Sequence, residues 1–254
     1  MKQHSRPAFS SPAIEQETVE ELSRRLLEVT ARLDASNRSL QRLQRERTEM
    51  LANLSHDLRA PLTAIRSAVD YLTSGQPLSA QDTVSALSLI DHRTATLEHL
   101  IRDMYELFTL EDPSCGFSFQ ELDALYFLEE YFYTALPDSR YSRHILRCSV
   151  PQDLRATLFA DPGKLVRVLD NLFGNAVKYA PAGTQITLSA EPAPDLTTLR
   201  ILVADQGPGI PPEETDRIFG RTYTVSPART PGSATGSGLG LAIVKAITER
   251  HGGT

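Results

Sequence analysis

A chain of 254 residues, 41% hydrophobic and 23% charged, has room for one or two domains with ordinary cores. Its formal net charge of −6 excludes a dedicated nucleic-acid binder, which carries a basic footprint. Two cysteines, Cys115 and Cys148, form no disulfide framework and show no metal-ligand spacing, and no apolar run reaches the roughly 18 residues of a spanning helix. The expected setting is reducing and cytoplasmic. The chain would reach the inner face of a membrane only through a partner or a segment outside it.

Residues 1–16 are polar, with Ser, Pro and Gln, and are expected to be disordered. A regular stripe follows: Val19, Leu22, Leu26, Val29, Leu33, Ser36, Leu40, Leu43, Arg47, Met50 and Leu54 alternate steps of three and four. A period of about 3.5 residues held this long predicts a coiled coil over 17–49, because a lone helix cannot bury so narrow a seam. The competing reading is an amphipathic helix packed inside a domain. Arginines and acids are balanced along the rest of the surface, as on a solvated helix face.

The helix is expected to run past His56 to about Leu72, with Leu58, Leu62, Ile65, Val69 and Leu72 continuing the stripe. Thr73-Ser-Gly-Gln-Pro77 breaks it. A second helix is predicted from about Ser79 to Leu110, with Val84, Leu87, Leu97, Ile101, Met104, Tyr105 and Phe108 as its apolar positions. One helical hairpin buries little apolar surface, whereas two hairpins make a four-helix bundle, so residues 50–111 predict a homodimer.

Glu111 to Gly116 reads as a linker, and beyond it helices and strands interleave. Helices are predicted near 121–135, 162–179 and 239–250, and strands near 144–150, 155–160, 184–190 and 198–204. The spacing is not that of regular βαβ units, so 112–254 is expected to be an α/β sandwich. The fold class is therefore α+β: a long coiled-coil helix, a dimeric hairpin bundle, then a sandwich.

Four stations along the chain carry chemistry. At about 100° per residue, His56 points away from the seam of Leu54 and Leu58, and the adjacent Asp57 can hold its tautomer or accept its proton. An exposed imidazole of this kind is a competent nucleophile. Pro61, inside the helix, should loosen the local backbone hydrogen bonds. His4, His92, His99, His144 and His251 lack such surroundings and read as background.

Asn171 and Asn175 lie four apart on one helix face, with Lys178 three further on. They read either as exposed polar residues or as a Mg²⁺ ligand with a cation near a polyphosphate. Asp205 ends an apolar strand and enters Gln-Gly207-Pro-Gly209-Ile210, either a plain turn or a carboxylate placed to accept the N6–H of adenine beside glycines that let the base approach. Gly236-Ser-Gly238-Leu239-Gly240 precedes a helix, which suits an anion. A dinucleotide fold is excluded there because no strand leads into these glycines. Residues 219–237, rich in Gly, Ser, Thr, Pro and Arg, read as a lid over the nucleotide.

Taken in order, these segments resemble the transmitter core of the sensor histidine kinases of two-component signalling. Ser55-His-Asp-Leu-Arg-Ala-Pro-Leu62 resembles the phosphoacceptor box and Asn171-Leu-Phe-Gly-Asn-Ala-Val-Lys-Tyr179 the N box. Asp205-Gln-Gly-Pro-Gly-Ile210 and Gly236-Ser-Gly-Leu-Gly-Leu241 resemble the two glycine boxes. The similarity covers roughly residues 45–254. It implies a dimerisation and phosphotransfer hairpin followed by an ATP-binding domain of the gyrase and Hsp90 type. It further implies that His56 is phosphorylated with help from Asp57, that Asn175 is a Mg²⁺ ligand, and that Asn171, Lys178 and Tyr179 line the ATP site while Asp205 binds adenine. The implied partner is a response-regulator receiver domain whose aspartate takes the phosphoryl group.

Three departures from the family pattern carry expectations of their own. Ala60 stands where family members that dephosphorylate their regulator have Thr or Asn, which implies weak phosphatase activity. Ile218-Phe-Gly-Arg-Thr-Tyr223 is a degraded phenylalanine box, with Gly220 and Thr222 replacing the usual acid and aromatic. The sandwich of the family runs a few tens of residues beyond the equivalent of Thr254, so this domain is expected to be a fragment or short of edge strands. Two rival readings are a non-catalytic dimerising adaptor and an ATP-driven conformational switch without a phosphoprotein intermediate.

Overall fold

The computed structural model describes residues 12–112, 114–194, 197–220 and 238–254. Helix α1 spans Pro12–Leu72, beginning inside the tract expected to be disordered. A proline suits a first helical turn, where its fixed φ is already helical and its missing N–H is not needed. Residues 1–53 and 54–254 are two separate compact units. In the first, Leu22, Leu26, Val29, Leu33 and Leu40 of the predicted seam are all exposed in the single chain.

In the second unit, α1 passes through Pro61 without ending, and a turn with Gly75 at φ +74° leads into α2 (Ala80–Glu111). Ser79 caps α2: its Oγ accepts the Asp82 N–H at 3.0 Å, and the Asp82 carboxylate accepts the Ser79 N–H at 3.3 Å. This reciprocal pair satisfies two donors left over at the helix start. The residues the hairpin buries are Leu54, Pro61 and Ala68 on α1, seven apart, and Ala86, Leu100, Leu107 and Leu110 on α2. The expected stripe is therefore only partly used. Leu58, Ile65 and Leu72 are half-buried, but Leu62 and Val69 remain 59% and 41% exposed. They sit one position beyond Pro61 and Ala68, and one position turns a side chain by about 100°.

Among the described residues, the C-terminal part contains two small sheets. Strand β1 (Gln120–Asp123) pairs antiparallel with β3 (Thr157–Ala160). Strand β4 (Gln185–Pro192) is central in a second sheet, parallel to β2 (Ile145–Ser149) and antiparallel to β5 (Leu199–Ala204). Helices α3 (Ala124–Ala135), α4 (Pro162–Tyr179) and α5 (Gly240–Arg250) complete the domain. Every second residue of β4 turns inward, and Ile186, Leu188 and Ala190 meet Phe127, Leu128, Tyr131 and Phe132 of α3 and Leu169, Phe173 and Ala176 of α4. Phe173, fully buried, lies edge-on to Tyr131 and Tyr141 at 5.6 and 5.9 Å. Truncating such a ring to alanine costs about 3–5 kcal/mol, so this helix-on-sheet contact holds the domain together.

One element differs from expectation. The stretch 121–135 is not one helix, because Gln120–Asp123 is a strand. Asp123 is the boundary: its carboxylate accepts the Tyr126 N–H at 3.0 Å and starts α3 as an N-cap. The strand is held by β3, whose paired residues lie 34 to 40 positions away, which local patterning does not reveal.

Candidate functional site

The proposed nucleotide-binding residues assemble around α4. Its start is fixed by Asp161, whose Oδ1 accepts the Lys164 N–H at 3.0 Å and whose Oδ2 accepts the Ser118 N–H at 2.9 Å. Burial pushes this carboxyl up, but the N–H groups of Ser118, Lys164 and Gly163 outweigh it and hold the pKa below the usual value. The backbone N–H of Asp161 in turn donates to His251 Nε2 at 3.0 Å, and His251 Nδ1 donates to the Ile247 carbonyl at 2.8 Å. His251, a background residue by sequence, thus joins the end of α5 to the start of α4. Tyr131 of α3 donates its hydroxyl to Asp170 at 3.1 Å. Burial first, then the Asp170 charge, raises its pKa, so the phenol stays protonated.

The other end of α4 meets the first glycine box. Asp205 Oδ1 accepts the Gly207 N–H at 2.7 Å. A Cβ on Gly207 would stand 2.7 Å from that oxygen and 3.2 Å from the Tyr179 carbonyl, so only glycine fits where the loop crosses the helix end. Gly209 follows at φ +74°, and Ile210 is exposed. The loop takes one carboxylate oxygen of Asp205, an exposed residue, for the Gly207 N–H. Lys178 lies with its ammonium 4.7 Å from the centre of the Tyr179 ring, both side chains exposed at the helix end.

The second glycine box meets the middle of the same helix. Gly238 has φ +66°, Leu239 is fully buried, and α5 begins at Gly240. A Cβ on Gly240 would lie 3.0 Å from Asn171 Oδ1. Asn171 Nδ2 donates to the Arg167 carbonyl at 3.0 Å, which turns the amide oxygen toward the glycine. Asn171 therefore braces the N-terminus of α5, while Asn175, one turn on, is half-buried with no hydrogen bond to its amide among the described residues. Gly236 and the lid residues 221–237 lie outside the described residues, as do residues 221–223 of the degraded phenylalanine box.

His56 belongs to the hairpin. Its side chain is 58% exposed, and Nδ1 is 3.3 Å from Asp57 Oδ1. An Nδ1–H directed at the carboxylate places the ring lone pair on Nε2.

Sequence reasoning missed the contacts that seat the ATP-binding part on α2. Lys164 and Arg167 of α4 pair with Glu106 at 3.2 and 2.7 Å, and Arg167 also pairs with Asp103. Burial works against the Arg167 charge, but the Glu106 hydrogen bond and the two carboxylates overcome it and raise the pKa. Arg250 reaches the carbonyls of Leu110, Asp112 and Cys115. Opposite charges on two elements were the available signal, but nothing local shows which of many charges meet. No helix among the described residues is long and apolar enough to cross a membrane.

Residues 46–113 match the family model of the His Kinase A phospho-acceptor domain, and residues 160–254 match that of the histidine kinase-, DNA gyrase B- and HSP90-like ATPases. The sensor histidine kinase WalK of Bacillus subtilis is 31% identical over 213 residues, and the sensor protein kinase WalK of Staphylococcus epidermidis is 34% identical over 218. Each alignment covers 84% of this chain and 34% of the relative, so the chain spans about a third of the length of these proteins. Among solved structures, full-length ShkA in complex with AMPPNP is 30% identical at a TM-score of 0.53, covering 79% of this chain and 40% of that one. Histidine kinase ThkA in complex with the response regulator protein TrrA has the same fold at a TM-score of 0.64, with 22% identity over 81% of this chain and 55% of that one.

Proposed function

This chain belongs to the sensor histidine kinases, and from that premise we propose that it is an ATP-dependent protein-histidine kinase that phosphorylates its own His56. The observation that carries the reading is the convergence of the N box and both glycine boxes on α4, through the Gly207–Tyr179 and Gly240–Asn171 contacts, in a chain that also bears an exposed His-Asp pair.

Asp205 Oδ2 accepts the exocyclic N–H of adenine, and Gly207 and Gly209 let the base lie close to backbone. Gly238, Leu239 and Gly240 present the N-terminus of α5 to the phosphates. Asn175 fits the role of a single amide ligand to Mg²⁺, an ion that needs few protein oxygens and keeps water and phosphate oxygens for the rest. When bound, that ion supplies neutralisation of phosphate charge. Lys178, when it leaves the Tyr179 ring, adds a further cation at the same end of α4. His56 Nε2 attacks the γ-phosphorus while the bond to the ADP oxygen breaks, and the Nδ1 proton passes toward Asp57. The phosphoryl group then moves to an aspartate of a response-regulator receiver domain. Positioning and charge neutralisation do most of the work, as in other phosphoryl transfers.

The active form in this reading is a homodimer. Leu62 and Val69 of α1 and Val84, Leu87 and Ile101 of α2 are exposed apolar residues that a second hairpin would cover. The exposed leucines of the 17–49 seam would pair in the same dimer as a coiled coil.

Incubation with γ-labelled ATP and Mg²⁺ tests the reading. The expected product is acid-labile, alkali-stable label on the protein, absent from His56→Gln although that variant still binds an ATP analogue. Nucleotide binding without label would select a non-catalytic adaptor, and ATP hydrolysis without a phosphoprotein would select a conformational switch.

A further inference from the structure

Groups of opposite sign meet where the ATP-binding part rests on the hairpin. From α4, Lys164 Nζ donates to Glu106 Oε1 at 3.2 Å, Arg167 Nε donates to Glu106 Oε2 at 2.7 Å, and Arg167 Nη2 donates to Asp103. These side chains are well covered: Lys164 and Arg167 are 26% exposed, Glu106 16% and Asp103 15%. An ion pair in open solvent contributes little, because water screens it and long side chains lose freedom in making it. A covered pair is different, since removing one member strands the other away from water. The guanidinium also spans two carboxylates one helical turn apart on α2, which fixes direction as well as distance.

A second fastening comes from α5. Arg250 Nη1 donates to the carbonyls of Leu110 and Asp112 at 3.3 Å each, and Nη2 donates to that of Cys115 at 2.6 Å. Its guanidinium also stacks 4.4 Å from the centre of the Phe117 ring. The Leu110 carbonyl belongs to the last turn of α2 and has no partner within the helix, so Arg250 satisfies a group that would otherwise need water. Asp112 and Cys115, in a plain linker by sequence, are thereby pinned to the domain the linker leads into.

One fastening would leave the domain able to swivel about α2; two on different helices do not. Arg167 and Asn171 are four residues apart on α4, about 6 Å along the axis at the usual helical rise. The docking side chain and the nucleotide face are thus carried by one rod.

We propose that Asp103 and Glu106 of α2, with Lys164 and Arg167 of α4, form an ionic docking contact that orients the ATP-binding domain on the hairpin for transfer to His56. Asp103 and Glu106 are positioning residues and touch neither ATP nor the acceptor ring. The inference rests on the kinase reading and adds to it the surface by which donor and acceptor domains engage.

Charge reversal on the hairpin side tests it, because Asp103→Lys and Glu106→Lys leave the nucleotide domain untouched. In the full chain the double variant is expected to lose autophosphorylation rate by at least about tenfold, as misplacement of reacting groups does. Its affinity for a fluorescent ADP analogue should stay that of the parent. Inverting all four signs, with Lys164→Glu and Arg167→Glu added, should restore most of the rate. An unchanged rate, a faster rate, a parallel loss of ADP-analogue binding, or failure of the fourfold inversion to rescue would each overturn the docking role. If the parent binds nucleotide but takes no label, the kinase reading fails first and this contact loses its purpose with it.

Discussion

Asn171 Oδ1 occupies the space that a side chain on residue 240 would enter, 3.0 Å from where its Cβ would stand. The amide cannot simply turn away, because its nitrogen is bonded to the Arg167 carbonyl. Gly240→Ala should therefore push α5 off α4 and spoil the anion site at its N-terminus. Overpacking of this kind costs about 1–3 kcal/mol. The expected result is ATP-analogue binding weakened by roughly tenfold, measured by titration, with the hairpin still folded by circular dichroism.

Gly207→Ala should be more severe for binding. Its Cβ would meet both the Asp205 carboxylate, at 2.7 Å, and the Tyr179 backbone, at 3.2 Å. The backbone cannot rotate out of the way, so the carboxylate must move. Loss of adenine preference over guanine, read from competition between ATP and GTP analogues, is the diagnostic outcome. A variant that bound weakly but kept its base preference would contradict the role given to Asp205.

Leu62→Glu should separate the proposed dimer. The residue is exposed in the single chain, and a charge there costs nothing until a second hairpin covers it. Sedimentation should show a shift to monomer at concentrations where the parent is dimeric. Ala68→Glu, a buried position, should instead unfold the hairpin.

Asp161 gives the domain an acid-sensitive stability. Backbone N–H groups overcome the effect of burial and hold its carboxyl below the ordinary carboxylate value in the fold. Its stabilisation is thus complete above the unfolded-state value and is lost as the pH falls through the lower native one. Asp161→Asn should flatten that part of the stability curve below about pH 4. Asp161→Ala, which removes the cap outright, should cost about 1–2 kcal/mol at neutral pH by denaturant titration.

Periodicity and local punctuation made most elements legible. Asp161-Pro162 marks the start of α4, and Tyr179 before Ala180-Pro-Ala-Gly183 marks its end, because caps and breakers act on their neighbours. Strand β1 was not legible, since its four residues are held by β3 rather than by their own pattern. The same limit applies at the site. The glycine boxes could be read as backbone devices, but that Gly207 abuts Tyr179 and Gly240 abuts Asn171 is a tertiary fact. His251 reads as background because its sequence surroundings do not resemble those of His56, yet its partner Asp161 lies 90 residues away. The docking charges were equally silent, because on an exposed helix one ionised group looks like another.

Helix α4 holds the hairpin at its first turns, the second glycine box at its middle and the first at its last residue. A straight helix resists bending far better than a loop does. Any turn of α2 would then swing the C-terminal fold as a lever, with the proposed adenine loop near the far end of the arm. In the proposed kinase, a compound wedged beside Arg167 would shift that lever and slow transfer to His56 while leaving ATP bound.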